Sequence, residues 1–189
     1  IQKGLSAIKE RHDLHERENT PERVLREKFT KLLGTKGTIK NAAYENADNA
    51  YESLKSSCEI ATNEWGEVSD ERIYFNPMLI FGQTENPFKS PERLFPVDFG
   101  EPSDNIYSFT VTVPEGYVVE DLPKSARMVL GQGDMKFDFL VIQNGNQIKI
   151  SSKTQIKNPI IGVDEYATVR QFFEQISVKH NEQIVLKKK

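Results

Sequence analysis

Residues 136–157 read K-F-D-F-L-V-I-Q-N-G-N-Q-I-K-I-S-S-K-T-Q-I-K. Two apolar-rich runs flank Asn144-Gly145, and Asn-Gly is a strong short-range hairpin signal because tight reversals need positive φ. The expected arms are residues 136–143 and 147–157. In the second arm Ile148, Ile150, Ser152, Thr154 and Ile156 fall on one face, with lysines on the other. One dry face and one wet face mark a strand of an antiparallel sheet.

The same alternation recurs upstream. Tyr107, Phe109, Val111 and Val113 point one way, while Ser108, Thr110 and Thr112 point the other. Pro114-Glu115-Gly116 turns the chain into a strand at residues 117–120, and residues 126–130 give another before the turn 131–134. Further back, Leu54, Ser56, Cys58 and Ile60 share a face, with residues 39–44 as hairpin partner across a polar turn at 46–49. Ile73 to Phe75 is a short strand that Pro77 must end or confine to an edge. Between it and a second aromatic strand ending at Asp98-Phe99 runs a loop punctuated by Pro77, Pro87, Pro91 and Pro96. We expect Phe88, Phe95, Val97 and Phe99 to anchor this crossover to the core. Residues 183–186 read as a terminal strand.

Helical spacing appears at the two ends. Residues 5–18 carry Leu5, Ile8, His12 and His15 on one face. A second helix is announced by Thr20 as N-cap, Pro21 at its first position and Glu22 in its first turn. Its stripe is Leu25, Phe29 and Leu32, with Gly34 closing it. Asp164 is the expected cap of a last helix bearing Tyr166, Val169, Phe173 and Ile176. The order is two helices, about nine strands, a helix and a strand. That predicts an α+β, mainly β protein: an antiparallel β-sandwich with two N-terminal helices and one C-terminal helix. Residues 1–35 form the expected helical lead-in and residues 36–189 the sandwich, with a subdivision near residue 100 left open.

Composition narrows the partners. With 189 residues, 37% apolar and 28% charged, the chain can bury a sizeable core. Its net charge is −3, and the one dense basic run, Lys187-Lys188-Lys189, reads as a solvated tail, so nucleic acid is not an expected partner. No apolar run approaches the ~20 residues that cross a bilayer. The chain starts at Ile1 in what reads as mid-protein sequence, so the absence of a signal peptide does not locate the parent protein.

Chemistry-bearing residues are few. His12 and His15 sit three apart on a helix, a spacing that can present two imidazoles to zinc, yet two histidines on a charged helix read as surface residues and no metal is expected. Cys58, the only cysteine, lies mid-strand on the apolar face, which fits a small hydrophobe better than a nucleophile at a helix start. No G-x-S-x-G elbow occurs, and Gly131-x-Gly133 reads as a turn. No catalytic residue and no cofactor is therefore expected. Trp65 with Tyr44, Tyr51 and Tyr74 is a candidate aromatic platform for sugar or peptide. Arg93 and Asp98 flank Leu94-Phe95-Pro96-Val97 and are read as a structural pair or a contact with a neighbouring domain. The candidate binding residues are Trp65, Tyr74 and Arg93.

Several motifs occur together in order: Asn86-Pro87-Phe88, Glu92-Arg93, Pro96-Val97-Asp98-Phe99, Val113-Pro114 with Gly116-Tyr117, Val119-Glu120 and Leu122-Pro123, then Glu165-Tyr166, Arg170-Gln171-Phe172 and residues 183–188. With Gly4-Leu5-Ser6-Ala7 and Arg11 in front, the chain resembles the C-terminal region of bacterial transglutaminase-like proteins. The resemblance implies an upstream papain-like core whose Cys, His and Asp triad matches no position here. It implies a non-catalytic domain that packs on or regulates that core, in a protein exported to the periplasm or cell envelope. The alternative is a glycan- or peptide-binding module of the cell envelope.

Overall fold

A computed structural model describes residues 4–16, 19–30, 37–62 and 66–189. The chain divides into two compact units, Ile1–Trp65 and Gly66–Lys189. The boundary expected at residues 35/36 lies outside the described residues.

In the first unit, helices α1 (Gly4–His15) and α2 (Pro21–Lys28) precede a hairpin of β1 (Thr38–Glu45) and β2 (Lys55–Ala61). Thr20 caps α2 as the sequence predicts, its hydroxyl accepting from Arg23 N–H at 3.2 Å. Leu25 and Phe29 are buried; Leu32 and Gly34 lie outside the described residues. The face of α1 is not the expected one. Ile8 is 60% exposed, while Ala7 and Glu10 are buried. Glu10 goes inside because Lys28 Nζ reaches it at 2.8 Å and Tyr44 Oη donates to it at 2.7 Å, satisfying a charge that would otherwise be costly to desolvate. Arg11 ties down the β1–β2 connection, its Nη2 donating to the carbonyls of Asn49 at 2.8 Å and Glu52 at 2.7 Å.

The second unit holds strands β3 (Glu67–Val68), β4 (Arg72–Phe75), β5 (Val97–Asp98), β6 (Ser103–Thr112), β7 (Tyr117–Asp121), β8 (Ala126–Leu130), β9 (Met135–Asn144), β10 (Gln147–Ile156), β11 (Ile160–Ile161) and β12 (Ile184–Lys188), with α3 (Tyr166–His180) before the last. One antiparallel sheet runs β6-β10-β9-β8 and the other β3-β4-β12-β7. β5 is the strand expected to end at Asp98-Phe99; the strands that the sequence did not signal are the two-residue pieces β3 and β11, too short to show a period. The two sheets and α3 share one core: Phe137 and Phe139 from β9, Ile148 and Ile150 from β10, Ile184 and Leu186 from β12, Val169 and Ile176 from α3. Each such side chain contributes about 1.5–3 kcal/mol by leaving water. The protein is thus α+β and mainly β, with the antiparallel sandwich and terminal helices the sequence predicts.

Three local readings need correction. The hairpin loop is Gly145-Asn146, because Asn144 still pairs with Gln147 at the end of the ladder; Gly145 takes the positive φ of 59°. Asp164 does not cap α3: it sits in a 3-10 turn, Val163–Glu165, that leads directly into the helix with no side-chain cap. Phe95 does not anchor the crossover; it is 75% exposed, whereas Val97 is buried and Phe88 and Phe99 pack against the core.

Candidate functional site

The long connection from β4 to β5 is fastened along α3 by a repeated device. Asn76-Pro77 and Asn86-Pro87 are ten residues apart, and proline holds the preceding residue out of helical conformation. Each asparagine folds into an Asx-turn, its Oδ1 accepting from the N–H two residues on: Met78 at 2.7 Å and Phe88 at 2.9 Å. Each then spends its amide on the helix. Asn76 Nδ2 donates to the His180 carbonyl at 2.7 Å; Asn86 Nδ2 donates to the Arg170 carbonyl and to Glu174 Oε2, both at 2.9 Å.

The helix reaches back. Tyr166 Oη donates to Ser90 O at 2.6 Å, Arg170 Nε to Phe88 O at 3.1 Å, and Asn181 Nδ2 to Thr84 O at 2.9 Å. Beneath these bonds Phe88 meets Phe173, Tyr166 and Phe99 edge-on, with ring centroids 5.1 to 6.2 Å apart. Such aromatic pairs add about 0.5–1.5 kcal/mol beyond their buried area.

At the end of α3 lies a buried imidazole. His180 Nδ1 accepts the N–H of Gln83 at 2.9 Å, and its Nε2 stands 2.8 Å from Ser152 Oγ on β10. Phe137 and Phe139 lie against the ring. Burial pushes the pKa down to about 4, so the ring is neutral at pH 7. Because a main-chain N–H occupies Nδ1, the ring proton sits on Nε2 and is donated to Ser152. A general base needs a free lone pair toward the serine, and this tautomer points a proton there instead. The Ser152–His180 pair is a cross-link between β10, α3 and the loop.

Between loop and helix runs a cleft of about 290 Å³, lined by Glu85, Asn86, Lys89, Arg170, Glu174 and Asn181 among others. Glu85 and Lys89 pair at 2.7 Å on its exposed rim, which holds the Glu85 carboxyl below the ordinary carboxylate range. A polar lining of this kind suits a hydrogen-bonding ligand.

The candidate binding residues are not one group. Trp65 lies outside the described residues. Tyr74 is half-buried on β4 and pairs with Val185 of β12. Arg93 sets its guanidinium over the Tyr166 ring, 5.8 Å from the centroid. His12 and His15 are exposed, each beside its own carboxylate, Glu16 at 3.5 Å and Asp48 at 3.4 Å. Among the described residues no group of three or more His, Cys, Asp or Glu is arranged to hold a metal ion. Cys58 is half-buried on β2; burial pushes its thiol up, partly opposed by Lys28. Sequence reasoning missed the roles of Asn76, Asn86, Ser152 and His180. The available signal was the repeated Asn-Pro followed by a large apolar residue.

Residues 71–186 match a family described as a domain of unknown function with a solved structure, DUF3858. The chain belongs to this family. Its DUF3858 portion begins inside the second unit and holds both four-stranded sheets except for β3 and the last residues of β12. Curated proteins give no match. Among solved structures a similar one is that of a "putative protease" from Parabacteroides distasonis, at 13% identity and a TM-score of 0.49. The similarity covers 64% of this chain and 24% of that one, so the DUF3858 chain spans about a quarter of that protein. Among the described residues no helix is long and apolar enough to cross a membrane.

Proposed function

We propose that this chain is a non-catalytic accessory domain of a longer transglutaminase-like protein, packing on, positioning or regulating an upstream catalytic core. The observation that carries the reading is how the motif residues are spent. Asn86, Phe88, Tyr166 and Arg170 are consumed in bonds and ring contacts that hold the loop to α3, and Ser152 with His180 is locked in a non-nucleophilic tautomer. Beside its exposed charges, that fastened loop offers two apolar side chains outward: Leu94 is 89% exposed and Phe95 75%. Two adjacent apolar side chains on a fastened loop suit a contact with a neighbouring domain. The resemblance of the motifs to the C-terminal region of transglutaminase-like proteins supports the same assignment, and with it an exported, cell-envelope location.

Two measurements test it. The purified chain is expected to show no peptidase, amidase or acyl-transfer activity; an activity abolished by Cys58→Ala rejects the proposal. Titrated with the separately produced upstream core, the chain binds, and Leu94→Ser with Phe95→Ser weakens binding by about tenfold or more, the size of an interface hot spot. A second reading, a module for cell-envelope glycan or peptide, is favoured by the polar cleft along α3. Saturable heats on calorimetric titration with glycan fragments or peptides support it, and a flat titration removes it.

A further inference from the structure

We propose that β6 is a pairing edge, and that it pairs antiparallel with β6 of a second copy of this chain. A sheet edge presents unpaired N–H and C=O groups, and proteins ordinarily blunt such edges with short strands, bulges, charges or proline. Three of the four edges of the two main sheets are blunted here. β3 is two residues long. β7 has five residues and a bulge where it meets β12 at Val185/Leu186. β8 has five residues, follows Pro123, carries the Arg127–Asp138 ion pair, and has Ser125 Oγ accepting from Val141 N–H at its end.

Of these devices β6 has only one charge, Asp104 near its start, paired with Lys153 of β10 at 2.9 Å. It runs ten residues, Ser103–Thr112, in unbroken register with β10, without proline, lysine or arginine. Among the described residues no strand pairs with its other edge. Ile106, on its wet face, is 57% exposed.

The sequence of β6 is complementary to itself. Antiparallel partners must share a face, so residue numbers in each pair sum to an even value, and a two-fold axis through Ser108 aligns almost the whole strand. That register sets Tyr107 against Phe109 of the other copy, Ile106 against Thr110 and Asn105 against Val111. Asp104, the only charged residue of β6, falls opposite Thr112 rather than opposite itself. Aromatic and β-branched cross-strand pairs of this kind are favourable, and no like charges meet. Two four-stranded sheets thereby become one continuous sheet.

The test uses the intact chain. Sedimentation equilibrium from micromolar to submillimolar concentration is expected to reach twice the 21.6 kDa chain mass. Ser108 is exposed, so Ser108→Lys leaves the circular dichroism and melting of the monomer unchanged, yet it sets two ammonium groups face to face on the axis and returns the mass to that of one chain. In a Cys58→Ala background, Ser108→Cys cross-links to a dimer on mild oxidation, whereas Thr112→Cys, which faces Asp104, does not. A chain that stays monomeric throughout the range overturns the proposal. So does a dimer that survives Ser108→Lys, or one in which Thr112→Cys cross-links as well as Ser108→Cys.

Discussion

Asn86 is the residue whose side chain does most in the second unit for its size. It is buried, and three of the four hydrogen bonds its amide can make are formed at once, with Phe88 N–H, the Arg170 carbonyl and Glu174. Asn86→Ala leaves those groups unpaired and is expected to cost about 1–3 kcal/mol. Asn86→Asp keeps the Asx-turn but aims an anionic oxygen at a carbonyl and a carboxylate, so it is expected to cost more than alanine. Urea melts at pH 7 rank the three proteins; an aspartate variant as stable as the parent rejects the assignment of Nδ2 to the helix. His180 supplies a pH test. Its folded pKa near 4 lies below the roughly 6.5 of an unfolded histidine. Above pH 6.5 the ring is neutral in both states and adds no pH dependence. As pH falls from 6.5 to 4 the unfolded chain binds the proton first, and stability drops by about 3 kcal/mol in all. The difference in unfolding free energy between parent and His180→Asn, followed from pH 7 to 4, isolates this slope from that of the carboxylates. None of this was legible at the residue scale. A histidine reads as a surface group or a ligand until the fold shows what surrounds it, and an asparagine before proline reads only as a turn.

At the scale of elements, period-two alternation told the truth because it reports a direct physical fact: one face of each strand meets the core. β6, β9 and β10 fall where the alternation puts them, and β8 matches residue for residue. Helix α1 misled, since its expected face held Ile8, His12 and His15, all exposed, while Glu10 goes inside because Lys28 and Tyr44 offset the cost of burying its charge. Pairing order was not legible either. β12 lies between β4 and β7, with more than a hundred residues separating it from the former, and periodicity carries no information about which strand is a neighbour. The hairpin loop gives an element-scale test. Gly145 has a φ of 59° with open space where a Cβ would go, so Gly145→Ala suffers only the conformational penalty, about 1 kcal/mol. Asn144→Ala, within the ladder at an exposed position, is expected to cost less than that. Thermal melts of the two variants in parallel check the order, and a costlier Asn144→Ala returns the loop to Asn144-Gly145.

For the molecule as a whole, the core residues of the second unit all lie within residues 78–186, nearly coincident with the family match at 71–186. Residues 66–189 produced alone are therefore expected to fold, with a melting transition within a few degrees of the corresponding one in the intact chain. Circular dichroism of the fragment decides this; a fragment without a cooperative transition shows that its core is not self-sufficient. The candidate site was half visible in advance. The aromatic, proline-punctuated stretch before β5 stood out by composition, but whether its polar groups faced a ligand or the protein itself depended on a helix that begins some seventy residues later.

The position of β12 has a consequence for how the protein is made. Because this strand fills the centre of its sheet, β4 emerges from the ribosome paired only with the two-residue β3 and β7 with no partner, and the gap between them stays open until residues 184–188 have cleared the exit tunnel. Val119 of β7 and Ile73 of β4 wait with their apolar faces unmatched for that entire interval. Translation of the second unit is therefore a period of exposure that ends only with its last few residues, which is when a nascent chain of this design most needs a chaperone.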